Sequence, residues 1–146
     1  MLDHIHTVLG FDFGLKRIGV ATGQRVTATA APLQPLAARD GIPDWHKIET
    51  LLKEWQPHAV LVGLPLNMDD SESELSQLAR KFARRLEGRF KVSVYMVDER
   101  LTSREARSVL ADIGERRKGK LPSLDSTAAV LMVEGWLAQP ESGLRP

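Results

Sequence analysis

Apolar residues fall along this chain in short continuous runs and in helix-spaced sets, and the two patterns take turns. Thr7-Val8-Leu9-Gly10-Phe11 and Ile18-Gly19-Val20-Ala21 are apolar runs on either side of a glycine-bearing turn, which predicts a hairpin of two largely buried strands. Gly14 is expected to supply a positive φ in that turn. Val26 to Ala31 alternates β-branched and small residues up to Pro32, so a third strand is expected to complete a meander. After the turn Arg39-Asp40-Gly41, the residues Ile42, Trp45, Ile48, Leu52 and Trp55 recur at helical spacing behind Pro43, and Gln56-Pro57 stops the helix. Ala59 to Leu64 is a continuous apolar run of the kind a central parallel strand shows, giving a βαβ crossover.

Beyond the loop from Pro65 to Asp70, Ser71 and Glu74 have the spacing of a capping box. The helix it opens carries Leu75, Leu78, Ala79, Phe82 and Leu86 inward and is expected to end at Gly88. Its other side bears Arg80, Lys81, Arg84, Arg85 and Arg89, a basic stripe that reads first as a solvated face. Val92 to Val97 alternates as a strand and runs into Asp98-Glu99-Arg100. Thr102 with Glu105 is a second capping box, opening a helix through Ala106, Val109 and Ile113. Gly114 to Pro122 lacks apolar periodicity and is expected to be a mobile basic loop. A last helix starts around Ser123 to Ser126 and carries Ala128, Ala129, Leu131, Met132 and Trp136. The order β, β, β, α, β, α, β, α, α predicts an α/β domain over residues 1–138, with a mixed five-stranded sheet flanked by helices, followed by a loose tail over 139–146. The sheet joins an antiparallel meander to parallel strands.

Composition narrows the chemistry. The 146 residues are 42% hydrophobic and 27% charged, ordinary for one soluble domain, and the absence of cysteine rules out disulfides and thiolate metal sites. Nothing resembles a leader or a membrane span, so a cytoplasmic protein is expected. The net charge of +1 conceals basic clusters at Arg80 to Lys91 and Arg116 to Lys120, which suit an anionic partner.

In open α/β sheets ligands collect beyond the carboxyl ends of the strands. Asp12 closes the first strand, Asp98 and Glu99 close the fifth, and Asp125 lies in the first turn of the last helix. Carboxylates from three separate elements at one edge suit Mg²⁺ or Mn²⁺, and a pair of such ions about 3.5–4 Å apart can activate water against a phosphodiester. Taken singly, each acid also has a plain structural reading: Asp12 as a turn acceptor, Asp125 as a helix-terminus charge, Asp98-Glu99-Arg100 as a surface ion-pair group. Asp98 and Glu99 point to opposite faces of a strand, so one of them at most joins Asp12, and spacing alone does not say which. His4, His6, His46 and His58 have no metal-ligand spacing, and the Gly10 to Gly14 stretch is neither a dinucleotide fingerprint nor a P-loop.

Four ordered motifs sharpen this reading: Gly10-Phe11-Asp12-Phe13-Gly14 with Arg17-Ile18-Gly19-Val20-Ala21, Val62 to Asp69, Asp98-Glu99-Arg100-Leu101-Thr102, and Asp125-Ser126 with Ala128-Ala129. From about Thr7 to about Leu137 the chain resembles the YqgF family of Holliday-junction-resolvase-like proteins, also described as pre-16S rRNA nucleases, which have the RNase H-like fold. The resemblance implies a metal-dependent endonuclease that matures ribosomal RNA, with branched DNA as the alternative substrate. It implies Asp12, Glu99 and Asp125 as catalytic and metal-binding acids, with Asp98 the less favoured alternative to Glu99, and Mg²⁺ or Mn²⁺ as cofactor. Lys16, Arg17, Arg100, Arg116, Arg117, Lys118 and Lys120 are then the expected phosphate contacts, giving affinity without sequence choice. Asp70 stands where the family usually has glycine. The ribosome is a candidate partner, and monomer and homodimer both remain open.

Two readings compete. The aspartate-glycine hairpin is similar to the phosphate loop of actin-like ATPases and sugar kinases, but those need two such domains and this chain has length for one. A catalytically silent module that binds ribosomal RNA or a transcription complex would use the same basic surface. Acids clustered beside a phosphate groove argue for catalysis, because without a neutralising metal they repel the nucleic acid.

Overall fold

In the computed structural model, which describes residues 6–65, 71–98, 124–140, 143–144 and 146, the two opening runs become β1 (Thr7–Asp12) and β2 (Arg17–Gln24). They pair antiparallel in the register Gly10↔Ala21, Phe11↔Val20, Asp12↔Gly19. The turn between them does not use the conformational freedom expected of Gly14, which is not among the positive-φ residues. Glycine is needed there for space, since a Cβ would run into the Arg17 carbonyl.

The third strand differs most from expectation. β3 spans Thr29–Arg39, straight through Pro32 and Pro35. Its pairing with β2 shifts by one residue between Val20↔Leu33 and Ile18↔Leu36, a bulge at Gln34-Pro35, after Pro32. A bulge reverses which backbone groups face the partner. Both prolines can therefore present their missing N–H to the side that β4 leaves uncovered. That sixth strand, β4 (Ile42–Pro43), pairs only with Ala38 and Arg39. The expected five strands omit it because it is two residues long. Asp40 (φ 52°) and Gly41 (φ 81°), both left-handed, fold it back onto β3 as a tight hairpin.

Helix α1 (Trp45–Trp55) starts at Asp44, whose carboxylate accepts from the His46 N–H at 3.0 Å, and stops at a left-handed Gln56 before Pro57. β5 (Ala59–Leu64) is buried at every position and lies parallel to β1, with Phe11 opposite Val62. α2 (Glu74–Phe90) is capped by Ser73 and Ser76, two residues later than the box expected at Ser71 and Glu74. It also runs past Gly88 to a left-handed Lys91, because Phe90 still packs on the core. β6 (Val94–Asp98) pairs parallel with β5, and α3 (Leu124–Ala138) follows. The sheet order is β4-β3-β2-β1-β5-β6. The second capping box at Thr102 and the basic segment 114–122 lie outside the described residues. In the tail, Leu144 and Met96 exchange backbone hydrogen bonds of 2.6 and 2.8 Å.

Two cores sandwich the sheet. On one face Leu9, Phe11, Phe13, Val60, Val62, Val94 and Met96 meet α1 and α2 through Ile48, Ala79, Phe82 and Leu86. On the other, Val8, Ala21, Ala59, Leu61 and Val97 meet α3 through Ala129, Met132, Val133 and Trp136. Fully burying one such side chain contributes roughly 1.5–3 kcal/mol. Each helix is therefore held firmly on its face. Among the described residues no helix is long and apolar enough to cross a membrane.

Candidate active site

Asp12 closes the strand that has neighbours on both sides. Phe11 and Phe13 flank it, and both contact Phe82 of α2, with ring centroids 5.8 and 5.4 Å away. Because side chains alternate along a strand, two phenylalanines committed to the α2 face send Asp12 to the α3 face. It is half-buried there.

Asp98 ends β6 one strand away from β1, opposite Leu64 of β5, at the same end of the sheet. Its face is the other one. Tyr95 and Val97 pack with α3 whereas Val94 and Met96 pack with α2, so Asp98, next after Val97, alternates onto the α2 side. The structure therefore brings Asp12 and Asp98 to one edge without bringing them to one face. Glu99, Arg100, Arg116, Arg117, Lys118, Lys120 and Asp70 lie outside the described residues.

Asp125 is the second residue of α3, and the neighbouring Ser126 locates it. The Ser126 hydroxyl is fully buried and donates to the Leu33 carbonyl at 2.6 Å, and at 3.5 Å it also accepts a long bond from the Val20 N–H. Val20 and Leu33 face each other across β2 and β3 at the edge of the bulge. The residue before Val20 is Gly19, the cross-strand partner of Asp12. Asp125 is adjacent on the helix to the tether, and the tether's partner Val20 is adjacent on the sheet to Gly19, the partner of Asp12. The sequence motif contained Ser126, but nothing local marked it as a tether, since its partners are 93 and 106 residues away.

Among the expected phosphate contacts, Lys16 in the β1–β2 turn and Arg17 at the start of β2 are exposed, close in sequence to Asp12. The turn's backbone is fixed, because Lys16 and Leu15 carbonyls accept from Ala38 and Gly41 at 2.8 and 2.9 Å. Of the stripe on α2, Arg80 pairs with Glu72 and Arg89 lies 4.4 Å over the Trp45 ring. His6 and His58 meet at the opposite, amino end of β1 and β5, remote from the acids. No group of three His, Asp or Glu that could hold a metal occurs among the described residues.

Ser73 also donates to the Pro65 carbonyl at 3.3 Å, which ties the start of α2 to the end of β5 beside the site. Glu72 braces this corner by accepting from Arg80 Nε at 2.8 Å and from Ser76 Oγ at 3.2 Å. The Arg80 hydrogen bond, above all, holds the Glu72 carboxyl below its ordinary 4.5. A carboxyl lowered by folding adds stability above that ordinary value and loses it as pH falls through the lowered one. Urea melts of wild type and Glu72→Gln should therefore differ by less than about 1 kcal/mol at neutral pH, as for other surface pairs. The difference should vanish in acid.

A meander feeding two parallel strands through helices on one face, with a closing helix on the other, is an RNase H-like fold, and here a carboxylate stands at the end of its first strand. The chain belongs to the RuvX family, described as Holliday junction resolvase, whose model matches residues 6–139. It is 58% identical over 132 residues to a Hahella chejuensis protein named "Putative pre-16S rRNA nuclease", covering 90% of this chain and 83% of that one. A Klebsiella pneumoniae protein of the same name is 56% identical over 133 residues, covering 91% and 96%. Among solved structures, T. thermophilus RuvC in complex with a Holliday junction substrate superposes with a TM-score of 0.59 at 15% identity, covering 94% of this chain and 98% of that one. At that identity the likeness speaks for the fold.

Proposed function

We propose that this chain is a metal-dependent endonuclease of the cytoplasm that matures the 5′ end of pre-16S ribosomal RNA. The observation that supports the reading is the Ser126 hydroxyl, which ties the first turn of α3, the turn that carries Asp125, to Leu33 and Val20, Val20 being the residue after Asp12's cross-strand partner Gly19. Asp12, Glu99 and Asp125 hold Mg²⁺ or Mn²⁺. The donor set suits these ions, because an all-oxygen site is what hard divalent cations select and no cysteine competes. When bound, such an ion stabilises charge on the phosphoryl oxygens and acidifies water. Asp98 serves less well than Glu99, since period-two alternation turns it from the face of Asp12.

The protein's other residues bind and orient the nucleic acid. Lys16, on a turn fixed by the β3–β4 hairpin, and Arg17, at the start of β2, hold phosphates next to Asp12, with Arg100, Arg116, Arg117, Lys118 and Lys120 adding to the same contact. Aromatic residues are only 5% of the chain and most of those described pack in the cores, so recognition runs through backbone and shape. Ribosomal RNA is favoured as substrate because the relatives that carry this name are more than half identical along nearly the whole chain. The family's resolvase description favours a second reading, cleavage of four-way DNA junctions.

The test is cleavage of a pre-16S fragment and of a four-way DNA junction, side by side in Mg²⁺ and in Mn²⁺. The expected result is a single cut in the RNA that needs either ion. Junction cleavage with intact RNA would transfer the assignment to resolvase. Tight RNA binding without cleavage in either ion would leave a silent binding module.

A further inference from the structure

The Ser126 hydroxyl is unusual in its setting. α3 is apolar over most of its length, and Ser126 is fully buried against the sheet in its first turn. A buried hydroxyl is costly unless it is bonded. A helical serine usually meets this need locally, bonding a carbonyl of its own helix. This one instead bonds two backbone groups of the sheet, the Leu33 carbonyl and, at longer range, the Val20 N–H. Those two groups are cross-strand partners at the bulge, where the β2–β3 ladder shifts register. The hydroxyl therefore fills a gap that the bulge opens.

We infer that Ser126 is a positioning residue for the metal site, fixing where Asp125 stands relative to Asp12; this rests on the assignment of those acids as metal ligands. The remaining anchors of α3 described above, Ala129, Met132, Val133 and Trp136, are apolar. Apolar contact is non-directional, so it holds the helix against the sheet without setting its position along the axis to a fraction of an ångström. The Ser126 bonds set that position at the one turn where it matters. Gly19, next to Val20, is paired with Asp12 at a Cα spacing of about 4.5–5.5 Å. A slide of the first turn of α3 therefore moves the backbone at Asp125 relative to the β1–β2 pair that carries Asp12. Ser126 touches no substrate and acts only through its neighbour.

The consequence is a metal requirement that depends on a hydroxyl which binds no metal. Groups that orient ligands from behind typically change metal affinity by about 10–100-fold when removed. Ser126→Ala should therefore raise the Mn²⁺ concentration needed for half-saturation by about tenfold, at the lower end of that range because the second bond is long. Binding is read from the free-Mn²⁺ electron paramagnetic resonance signal of the full chain without nucleic acid, and the half-saturating Mn²⁺ for cleavage should move in parallel. Val133→Ala removes an apolar anchor of the same helix and serves as the control for simple loosening. Asp125→Asn serves as the control for the site itself.

The expected pattern is strong loss of Mn²⁺ in Asp125→Asn, about tenfold weakening in Ser126→Ala and much less change in folded Val133→Ala. Wild-type affinity in Ser126→Ala beside a loss in Asp125→Asn overturns the positioning role and leaves the site assignment standing. Unchanged affinity in Asp125→Asn as well overturns the assignment on which the inference rests. Equal weakening in Ser126→Ala and Val133→Ala overturns the positioning role, since the hydroxyl then does no more than any contact. Should Ser126→Ala not fold, hydrogen exchange of the wild-type protein decides. Because coupling is reciprocal, Mn²⁺ should slow exchange of the Val20 amide more than that of Val60, which bonds Ser93 at the far end of the sheet. Equal slowing of the two amides counts against the role.

Discussion

Asp12→Asn should reduce metal-dependent cleavage by at least about a hundredfold, the scale on which preorganised charge stabilisation is lost when one of its groups is removed. Asparagine keeps the shape of the side chain and its capacity to accept hydrogen bonds, and the backbone around it is held by Phe11 and Phe13 against Phe82. The variant should therefore fold. Without metal it should melt at or slightly above the wild-type temperature, because on the proposed assignment it neutralises one of three acids set close enough to share an ion and so relieves their repulsion. With metal the order reverses. A ligand that binds only the folded chain at a hundred times its dissociation constant adds about 2.7 kcal/mol, and that gain should belong to wild type alone. Single-turnover cleavage and thermal melts with and without Mn²⁺ check both halves. Cleavage at the wild-type rate would remove Asp12 from the site, and a collapse of the metal-free melting temperature would show a structural part for the carboxylate instead.

Much of this arrangement is legible from local pattern, and the exceptions share a cause. The β1–β2 hairpin, α1, β5 and the last helix follow from apolar periodicity and from stops such as Gln56-Pro57, all of which act within a few residues. β3 does not, because proline reads locally as a strand breaker. Its tolerance at Pro32 and Pro35 comes from a bulge and an uncovered side that only pairing creates. The choice between Asp98 and Glu99 fails for a related reason. The alternation from Val92 to Val97 separates Asp98 from Glu99 but does not say which of the two faces is also that of Asp12. That is set by α2 taking Val94 and Met96 while α3 takes Tyr95 and Val97. The position of Asp125 likewise hangs on Ser126, whose partners are remote in sequence. The acids are visible as residues, whereas the edge and face that Asp12 and Asp98 take are properties of the sheet.

Gly10 makes the same point with a sign that can be measured. Glycine in a strand interior is costly, and replacing it with alanine at an ordinary backbone conformation usually stabilises by about 0.4–1 kcal/mol through the unfolded state. Gly10 has no positive φ that would forbid the change. Here the opposite is expected. A Cβ at Gly10 would lie 3.0 Å from Met132 Cε and would run into a methyl of Val133, so α3 would have to lift from the sheet. Overpacking of this kind costs about 1–3 kcal/mol, which exceeds the entropic gain. Gly10→Ala should therefore lower stability in urea melts. Val133→Ala, which removes the obstructing methyls, should recover part of the loss, with a favourable coupling of about 0.5–3 kcal/mol in the double-mutant cycle. The displacement also carries the first turn of α3, so the Mn²⁺ requirement of Gly10→Ala should rise with the instability and fall again in the double variant. A more stable Gly10→Ala with unchanged metal affinity would mean that α3 does not approach β1 this closely. The Ser126 bonds would then hold the first turn of α3 without help from that approach.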